Sequence, residues 1–312
     1  MEILHVSAEC YPVAKAGGLG DVAGALPKYM NRLGHVAKLV MPMYRTKFLY
    51  AHKFEVVHKG RSRLGEWSYE FTIIKEAKNI LGFDLYLVDI HGLLDREKVY
   101  GYDDDAQRFM AFQVSVLDWV KTWKHRPDII HVHDYHSGLI PFMLKYCSDY
   151  SALSGIPSVL TIHNAEYQGW MGWDNSKFLP EYDQWKWGML DWKNSINPLA
   201  SAVKCAHLVT TVSKSYLDEL KYMEKQTFPQ VKGALPGSTP EAPTGGVQPW
   251  SRSTGYPITP LGVGTAEKTQ WAPLNTLTGE RGKSFDSFGP EFDEEFQRLL
   301  GAWHRGLPSK LD

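Results

Sequence analysis

The first 225 residues alternate strand-like and helix-like runs, and no other feature constrains the fold as much. Apolar, β-branched runs lie at residues 3–7, 36–41, 81–88, 129–132, 158–162 and 207–212. Between them apolar residues recur at helical spacing, as they do within residues 104–123. This alternation predicts an α/β fold with a doubly wound, mostly parallel, Rossmann-like sheet. In such sheets ligands bind beyond the carboxyl ends of the strands.

Two parts of the chain depart from this alternation. Residues 53–58 and 67–76 alternate polar and apolar residues, which predicts a hairpin or edge strands outside the main sheet. Residues 226–312 are rich in Gly and Pro and lose the periodic apolar runs, apart from a helix-like stretch at 290–303. We therefore predict a Rossmann-like domain over residues 1–225 and a poorly structured, irregular tail over residues 226–312.

Composition narrows the class of protein. With 43% hydrophobic and 22% charged residues, the chain has the composition of a globular protein. A formal net charge of −1 argues against a nucleic-acid partner. No apolar run reaches the ~18 residues of a membrane span, and no signal peptide is apparent. Three widely spaced cysteines fit neither a disulfide framework nor a metal knuckle, so we expect a cytoplasmic protein of undetermined oligomeric state.

A glycine turn separates the first strand from the first helix. Gly17 and Gly18 follow Lys15, and helical spacing begins at Leu19. Such a turn points backbone N–H groups at an anion, and a lysine ammonium can reach the same charge. One interpretation is a phosphate site; the other is a plain turn between a strand and a helix.

Polar residues end two of the predicted inner strands. His131, His133 and Asp134 close one strand, and His163 and Asn164 follow the next. A metal would find two histidines on one strand face but no third ligand at a motif-like spacing, so we predict none. The alternatives are packed histidines, or an aspartate that accepts hydrogen bonds from ligand hydroxyls.

Residues 170–192 are unusually aromatic, with tryptophans at 170, 173, 185, 187 and 192. Indoles stack on sugar rings, so a glucan-contacting loop is one interpretation. Burial of large rings between loop and core is the other. A second local feature is the pair Asp95 and Arg96, which we expect to form an ion pair that holds a loop.

These motifs, taken in order, resemble those of one family. They are Val6 to Pro12 leading into Lys15-Ala16-Gly17-Gly18-Leu19-Gly20-Asp21-Val22, Leu87 to Arg96, Arg108-Phe109, His131 to His136, Thr161 to Asn164 with Tyr167-Gln168-Gly169, and Thr211-Val212-Ser213 with Tyr216. The chain is similar over residues 1–225 to bacterial glycogen synthases and plant starch synthases, which are retaining glucosyltransferases that use ADP-glucose.

The resemblance implies a GT-B fold with the active site between two Rossmann-like domains, of which this chain shows the first. It implies catalytic roles for His163 and Asp134, and donor binding by Lys15, Gly17, Gly18 and Asp21. It places Asn164, Tyr167, Gln168 and His133 against the acceptor or sugar. The implied substrates are ADP-glucose and an α-1,4-glucan, with no metal or cofactor. No catalytic base is assigned, because the leaving phosphate is thought to take the proton.

After Gln226 we find none of the motifs of the family's second domain. A fragment, a frameshift or a fused tail would each explain this. We predict glucose transfer to the non-reducing end of the glucan as the family activity, with little or no turnover by this chain alone. The alternatives are a non-catalytic glucan-binding half-domain, or another nucleotide-sugar transferase or phosphorylase of the same fold. The donor base, ADP or UDP, is left open.

Overall fold

A nine-stranded sheet forms the centre of the computed structural model, which describes residues 1–217 and 220 and the backbone of residues 258–260. The strands are β1 (Glu2–Val6), β2 (Val36–Pro42), β3 (Phe54–Leu64), β4 (Trp67–Glu76), β5 (Asp84–Asp89), β6 (Ile129–His133), β7 (Ser158–Ile162), β8 (Asp191–Trp192), β9 (Ser195–Ile196), β10 (Leu208–Thr211) and β11 (Ile258–Pro260). Their order in the large sheet is β11-β10-β7-β6-β1-β2-β5-β4-β3, while β8 and β9 form a separate two-stranded ribbon.

Pairing within the sheet is parallel except at one edge. From β11 across to β5 each strand runs parallel to its neighbour, and β4 and β3 then add antiparallel pairs. The predicted doubly wound, mostly parallel sheet is therefore confirmed. The expectation that the hairpin lies outside the main sheet is wrong, because β4 pairs with β5 along Thr72 to Lys75. Alternation of polar and apolar residues marks a one-sided strand, and an edge strand of the main sheet has that property too.

Helices cover both faces of the sheet. They are α1 (Gly18–Arg32), α2 (Lys47–Ala51), α3 (Asp105–Lys121), α4 (Ile140–Tyr146) and α5 (Pro198–Cys205). Because side chains alternate along a strand, Leu4 and Val6 pack in one apolar cluster with α3, while Ile3 packs in another with α1. Helix α5 begins where the Asn197 side chain accepts a hydrogen bond from the N–H of Ala200, and a proline follows directly.

Most predicted strand boundaries hold within three residues, but β3 extends to Leu64, six residues past the predicted end at 58, and helix α2 was not predicted. A 3-10 turn at residues 135–137 separates β6 from α4. Ser213 caps the helical residues that follow β10, since its hydroxyl accepts from the N–H of Tyr216 at 3.0 Å.

Both the predicted division at residue 225 and the helix-like stretch at 290–303 lie outside the described residues, and the division stays a prediction. Among the described helices, none has the length and apolarity to cross a membrane.

Candidate functional site

A cavity of about 760 Å³ opens at the carboxyl ends of β1, β6 and β7. The strand order reverses here, since β2 lies on one side of β1 and β6 on the other. This is the switch point at which ligands of doubly wound sheets bind. The lining residues come from the segments that follow five strands, including the first turns of α1, and are Glu9, Ala16, Gly17, Gly18, Leu19, Val22, Tyr100, Asp134, Tyr135, His136, His163, Asn164, Tyr167 and Val212.

Glu9, rather than an external anion, occupies the first amides of the glycine turn. Its side-chain Oε2 accepts hydrogen bonds from the N–H of Ala16 at 2.6 Å and of Gly17 at 2.8 Å. The hydroxyl of Tyr100 donates to the other carboxylate oxygen. Glu9 is only 3% exposed, so these three donors replace the water that the carboxylate has lost. The carboxylate therefore holds the turn in place from within the protein.

The glycines of this turn differ in what surrounds them. A Cβ added to Gly17 or Gly18 would meet no heavy atom within 4 Å, and both glycines line the cavity. At Gly24, almost two turns further along α1, a Cβ would lie 2.3 Å from the carbonyl oxygen of Tyr11. Gly24 is thus required by packing, whereas Gly17 and Gly18 keep open the space in which a ligand could approach the backbone.

Lys15 and Asp21 pair with each other beside the cavity. The Lys15 Nζ lies 2.6 Å and 2.8 Å from the two carboxylate oxygens of Asp21, and both side chains are partly exposed. Neither residue lines the cavity. An exposed pair of this kind contributes little stability and separates easily. Two of the four residues predicted to bind the sugar donor, Lys15 and Asp21, therefore form an ion pair with each other. Lys15 would have to leave Asp21 to reach a ligand phosphate.

Asp134 adopts a strained backbone conformation at the end of β6. Its φ of 55° and ψ of −168° fall in a region that is almost restricted to glycine, at a cost of about 1–3 kcal/mol. In this conformation the Asp134 Oδ1 accepts from the N–H of His163 at 2.7 Å and of Asn164 at 3.3 Å. The carboxylate so joins the ends of β6 and β7. Its Oδ2 makes no hydrogen bond to any described residue and is available to a ligand hydroxyl.

Burial raises the pKa of Asp134 to about 7, and the nearby Glu9 carboxylate adds to the rise. The two backbone N–H groups act in the opposite direction. Near neutral pH the Asp134 side chain therefore occurs in both its protonated and its ionised form. It can either donate a hydrogen bond to a ligand or accept one.

Three histidine rings form a hydrogen-bonded row behind the cavity. The Nε2 of His163 lies 2.9 Å from the Nδ1 of His133, whose Nε2 lies 3.2 Å from the Nδ1 of His5. Burial lowers the pKa of His163 and of His5 to about 3, and that of His133 well below its usual range. All three rings are neutral at physiological pH. The Nδ1 of His163 is buried and has no hydrogen-bond partner among the described residues.

The structure brings together a third histidine that the sequence spacing did not reveal. Possible ligand atoms of His5, His131 and His133 all lie within 4.8 Å of one another. The third member comes from β1, which pairs with β6 so that His5 stands opposite His131. The nitrogens of His5 and His133 already contact other side chains, and the Nε2 of His131 lies 2.7 Å from the hydroxyl of Thr161. Hydrogen bonds thus account for this cluster, and the prediction of no metal remains untested.

The predicted acceptor residues divide into two groups. Asn164 and Tyr167 line the cavity, and Tyr167 is 63% exposed. Gln168 does not line it, because its amide donates to the carbonyl of Ala165 at 3.0 Å and accepts from the side chain of Asn197 at 2.7 Å. Gln168 therefore ties the loop after β7 to the start of α5. His133 is fully buried behind His163 and reaches the cavity only through it.

The tryptophans follow both interpretations offered by the sequence. Trp192 is buried, and the ring nitrogen of Trp173 donates to Asp191 at 2.9 Å. Trp170, Trp185 and Trp187 remain exposed, by 45%, 81% and 40%. Part of the aromatic segment packs against the core, and part presents indole faces to solvent.

Several residues of the site were missed or misassigned by sequence reasoning. Glu9 and Tyr100 were not singled out, although an acidic residue just before a glycine turn was a usable signal. Tyr100 arrives from a loop held by the buried Arg108, which donates to the carbonyls of Leu93 at 3.0 Å and Val99 at 3.3 Å. The prediction that Asp95 forms an ion pair with Arg96 is wrong. The first contacts Arg45 at 2.6 Å and the second contacts Asp104 at 2.9 Å.

The sheet and its cavity define the class of protein first: an α/β protein of the doubly wound type whose ligand site lies at the switch point of the sheet. Comparison with known proteins gives the family. A model described as the starch synthase catalytic domain matches residues 2–234. The chain therefore belongs to the starch synthase catalytic domain family, which is a family of glycosyltransferases.

Named relatives agree with this assignment. A glycogen synthase of Flavobacterium johnsoniae is 51% identical over 222 residues, covering 71% of this chain and 47% of the relative. A glycogen synthase of Streptococcus agalactiae is 36% identical over 228 residues, covering 72% and 48%. Among solved structures, the catalytic domain of starch synthase IV from Arabidopsis thaliana, bound to ADP and acarbose, superposes with a TM-score of 0.64 at 26% identity. It covers 70% of this chain and 46% of that domain, so the chain spans about half the length of the relatives it matches.

Proposed function

We propose that this chain forms one wall of a glucosyltransferase site that moves glucose from ADP-glucose to the non-reducing end of an α-1,4-glucan. One observation carries the proposal: the strained Asp134, the neutral His163 and the open glycines Gly17 and Gly18 meet at a single cavity in a chain of this family. The ADP and acarbose of the Arabidopsis neighbour support a nucleoside diphosphate and a saccharide as the ligand classes.

In this proposal the diphosphate approaches the backbone at Gly17 and Gly18, where a Cβ would project into open space. The amides of Ala16 and Gly17 already serve Glu9, so the phosphate oxygens are left with the N–H groups that follow at the start of α1. Lys15 adds its ammonium after leaving Asp21.

The glucose then lies between β6 and β7. Asp134 Oδ2 is left for its hydroxyls, since Asp134 Oδ1 accepts two backbone N–H groups. The buried Nδ1 of His163 has no hydrogen-bond partner among the described residues, whereas its Nε2 contacts His133. Fixed polar groups at this place can stabilise oxocarbenium-like charge without reorganising. No residue is assigned as nucleophile or base, and the leaving phosphate takes the proton of the incoming hydroxyl.

Calorimetric titration of ADP-glucose into the full chain tests the donor site. Gly17→Ala and Gly18→Ala leave the fold intact, because neither Cβ meets an atom within 4 Å. Each substitution is expected to lower the affinity for ADP-glucose by about tenfold or more, which corresponds to a loss of about 1.4 kcal/mol in binding free energy. Gly155→Ala is the matched control, since its Cβ also meets nothing and Gly155 lies away from the cavity. Equal affinities in all three variants would refute the donor site.

The same titration with UDP-glucose compares the two nucleotides, between which the described residues make no distinction. A single-turnover assay with ADP-glucose and glycogen then measures transfer itself. For this chain, which spans about half the length of the relatives it matches, we expect slow or absent extension of the glucan, because both sides of the leaving diphosphate must be stabilised.

A second candidate is a half-domain that binds glucan without transferring glucose, which the exposed Trp170, Trp185 and Trp187 favour. Titration with maltopentaose, followed by tryptophan fluorescence, is expected to give a saturating change that Trp185→Ala reduces. Tyr50→Ala is the control, since Tyr50 is 74% exposed on α2 and does not line the cavity. A flat titration excludes glucan binding.

A further inference from the structure

The row of histidines behind the cavity ends on a sulfur atom. The Nε2 of His5 lies 3.3 Å from the Sδ of Met30, which is buried on the sheet-facing side of α1. The row therefore runs from His163 at the cavity through His133 and His5 to a thioether. Each contact joins two ring nitrogens, or a nitrogen and a sulfur, at hydrogen-bond distance, so each needs one hydrogen between its two atoms.

Only one placement of the hydrogens satisfies every contact. A neutral imidazole carries one N–H and one lone pair, and a thioether has no hydrogen to donate. His5 must then donate from Nε2 to Met30, which leaves its Nδ1 as an acceptor. His133 donates from Nε2 to that acceptor, and its own Nδ1 accepts from the Nε2 of His163. The reverse placement sets a lone pair of His5 against the sulfur lone pairs and loses that contact.

We propose that Met30, His5 and His133 are positioning residues that fix the tautomer of His163, so that its buried Nδ1 carries a lone pair and no hydrogen. None of the three lines the cavity. The proposal rests on distances along one row of buried side chains. It assigns a role to Met30 and His5, both of which lie at the end of the row that is farther from the cavity.

The neighbouring His131 follows the same logic and does not compete for this row. Thr210 donates its hydroxyl to the carbonyl of Leu160 at 3.2 Å, so it accepts from Thr161 at 2.9 Å. Thr161 in turn accepts from the Nε2 of His131 at 2.7 Å. His131 so satisfies its one N–H through the threonines of β7 and β10, and it stacks on His133 with ring centroids 4.3 Å apart.

For the proposed function the consequence is selective. A ligand that reaches the buried Nδ1 of His163 would meet a lone pair, which accepts a hydrogen bond from a sugar hydroxyl and repels a phosphate oxygen. It therefore directs the glucose, rather than the diphosphate, to the end of β7. This consequence rests on the proposed function, whereas the tautomer itself is a property of the free protein and is measured without any ligand.

The test is the 15N spectrum of the histidine rings in the full chain, with the 15N label in histidine and long-range proton correlation. A nitrogen that carries hydrogen and one that carries a lone pair resonate in separate regions. His163 is assigned from the signals that disappear in His163→Gln. We expect Nε2 of His163, His133 and His5 at the hydrogen-bearing position and their Nδ1 at the lone-pair position.

Two variants then test what fixes the tautomer. In His5→Phe the Nε2–H of His133 would be left unsatisfied in the dry core, so His133 is expected to donate from Nδ1 instead. The signal of His163 Nδ1 then moves to the hydrogen-bearing region, and that of its Nε2 moves to the lone-pair region. Met30→Leu, a swap that cores tolerate well, removes the acceptor of His5 and is expected to make the Nδ1–H form of His163 detectable. Met143→Leu is the matched control. Met143 is fully buried in α4, in the apolar cluster that contains Leu4 and Val6, and its substitution should leave the spectrum unchanged.

The proposal is overturned if His163 in the unsubstituted chain carries its hydrogen on Nδ1. It is equally overturned if the ring pattern of His163 is the same in Met30→Leu as in Met143→Leu. Should His5→Phe fail to fold, the methionine pair decides alone. Because the spectrum contains no substrate, a chain that binds no ADP-glucose can still confirm the tautomer, and the two failures are distinguishable.

Discussion

Replacing Glu9 with glutamine tests what holds the glycine turn together. Glu9 is 3% exposed and accepts two backbone N–H groups, from Ala16 and Gly17, besides the hydroxyl of Tyr100. A glutamine oxygen can still accept both N–H groups, but as a neutral acceptor. The Tyr100 hydroxyl must then accept from the new amide. The substitution thus removes charge and changes little in shape.

The expected loss follows from the number of bonds. A hydrogen bond to a charged group contributes about 1.5–3 kcal/mol net, against about 0.5–1.5 kcal/mol for a neutral one. Weakening the two backbone bonds of Glu9 should therefore cost about 2 kcal/mol. In a domain of this size each kcal/mol lowers the melting temperature by about 2–4 °C, so Glu9→Gln should melt about 4–8 °C lower.

Urea unfolding measures the free energy of unfolding, and scanning calorimetry measures the melting temperature. Glu70→Gln is the matched control, since Glu70 is 79% exposed beside Arg61 and its loss should stay within about 0.5 kcal/mol. Tyr100→Phe completes a double-substitution cycle, in which residues that share a bond should couple by about 0.5–3 kcal/mol. If Glu9→Gln is no less stable than Glu70→Gln, the carboxylate does not hold the turn.

Two further predictions concern pH and packing. Burial depresses the pKa of His5, His136 and His163 to about 3, against the usual value of 6.5. Their contribution to stability is therefore present above pH 6.5 and is lost as the pH falls from there towards 3, by about 1.4 kcal/mol per pH unit for each histidine. Asp134, whose pKa is raised to about 7, acts with the opposite sign between its usual 3.8 and 7. Burial also lowers the pKa values of His131, His133 and His207, which act in the same direction. Urea unfolding at a series of pH values between 7.5 and 5 should therefore show a net fall of several such increments, and a flat profile would contradict the burial of these rings. Separately, Gly24→Ala places a Cβ 2.3 Å from the Tyr11 carbonyl oxygen, and it should destabilise the chain by about 1–3 kcal/mol in the same assay, whereas Gly17→Ala should not.

Much of the fold could be predicted because its signals are local. Periodic apolar residues gave β1, β6, β7 and α3 nearly to the residue, since each of these elements buries a face that its own sequence must supply. The place of the hairpin could not be predicted. A strand with one polar face suits an edge of the main sheet as well as a separate ribbon, and only pairing with β5 decides between them.

The same division applies to the candidate site. The sequence by itself determined that Asp134, His163 and the glycine turn leave a parallel sheet at one edge, because the carboxyl ends of parallel strands share that edge. The tertiary structure decided which partners those groups have: Glu9 at the amides of the turn, Asp21 at Lys15, and His5 with Met30 behind His133. His5 and His133 are 128 positions apart in the sequence. A hydrogen bond depends on distances of a fraction of an ångström between groups far apart along the chain, and sequence spacing carries no such information.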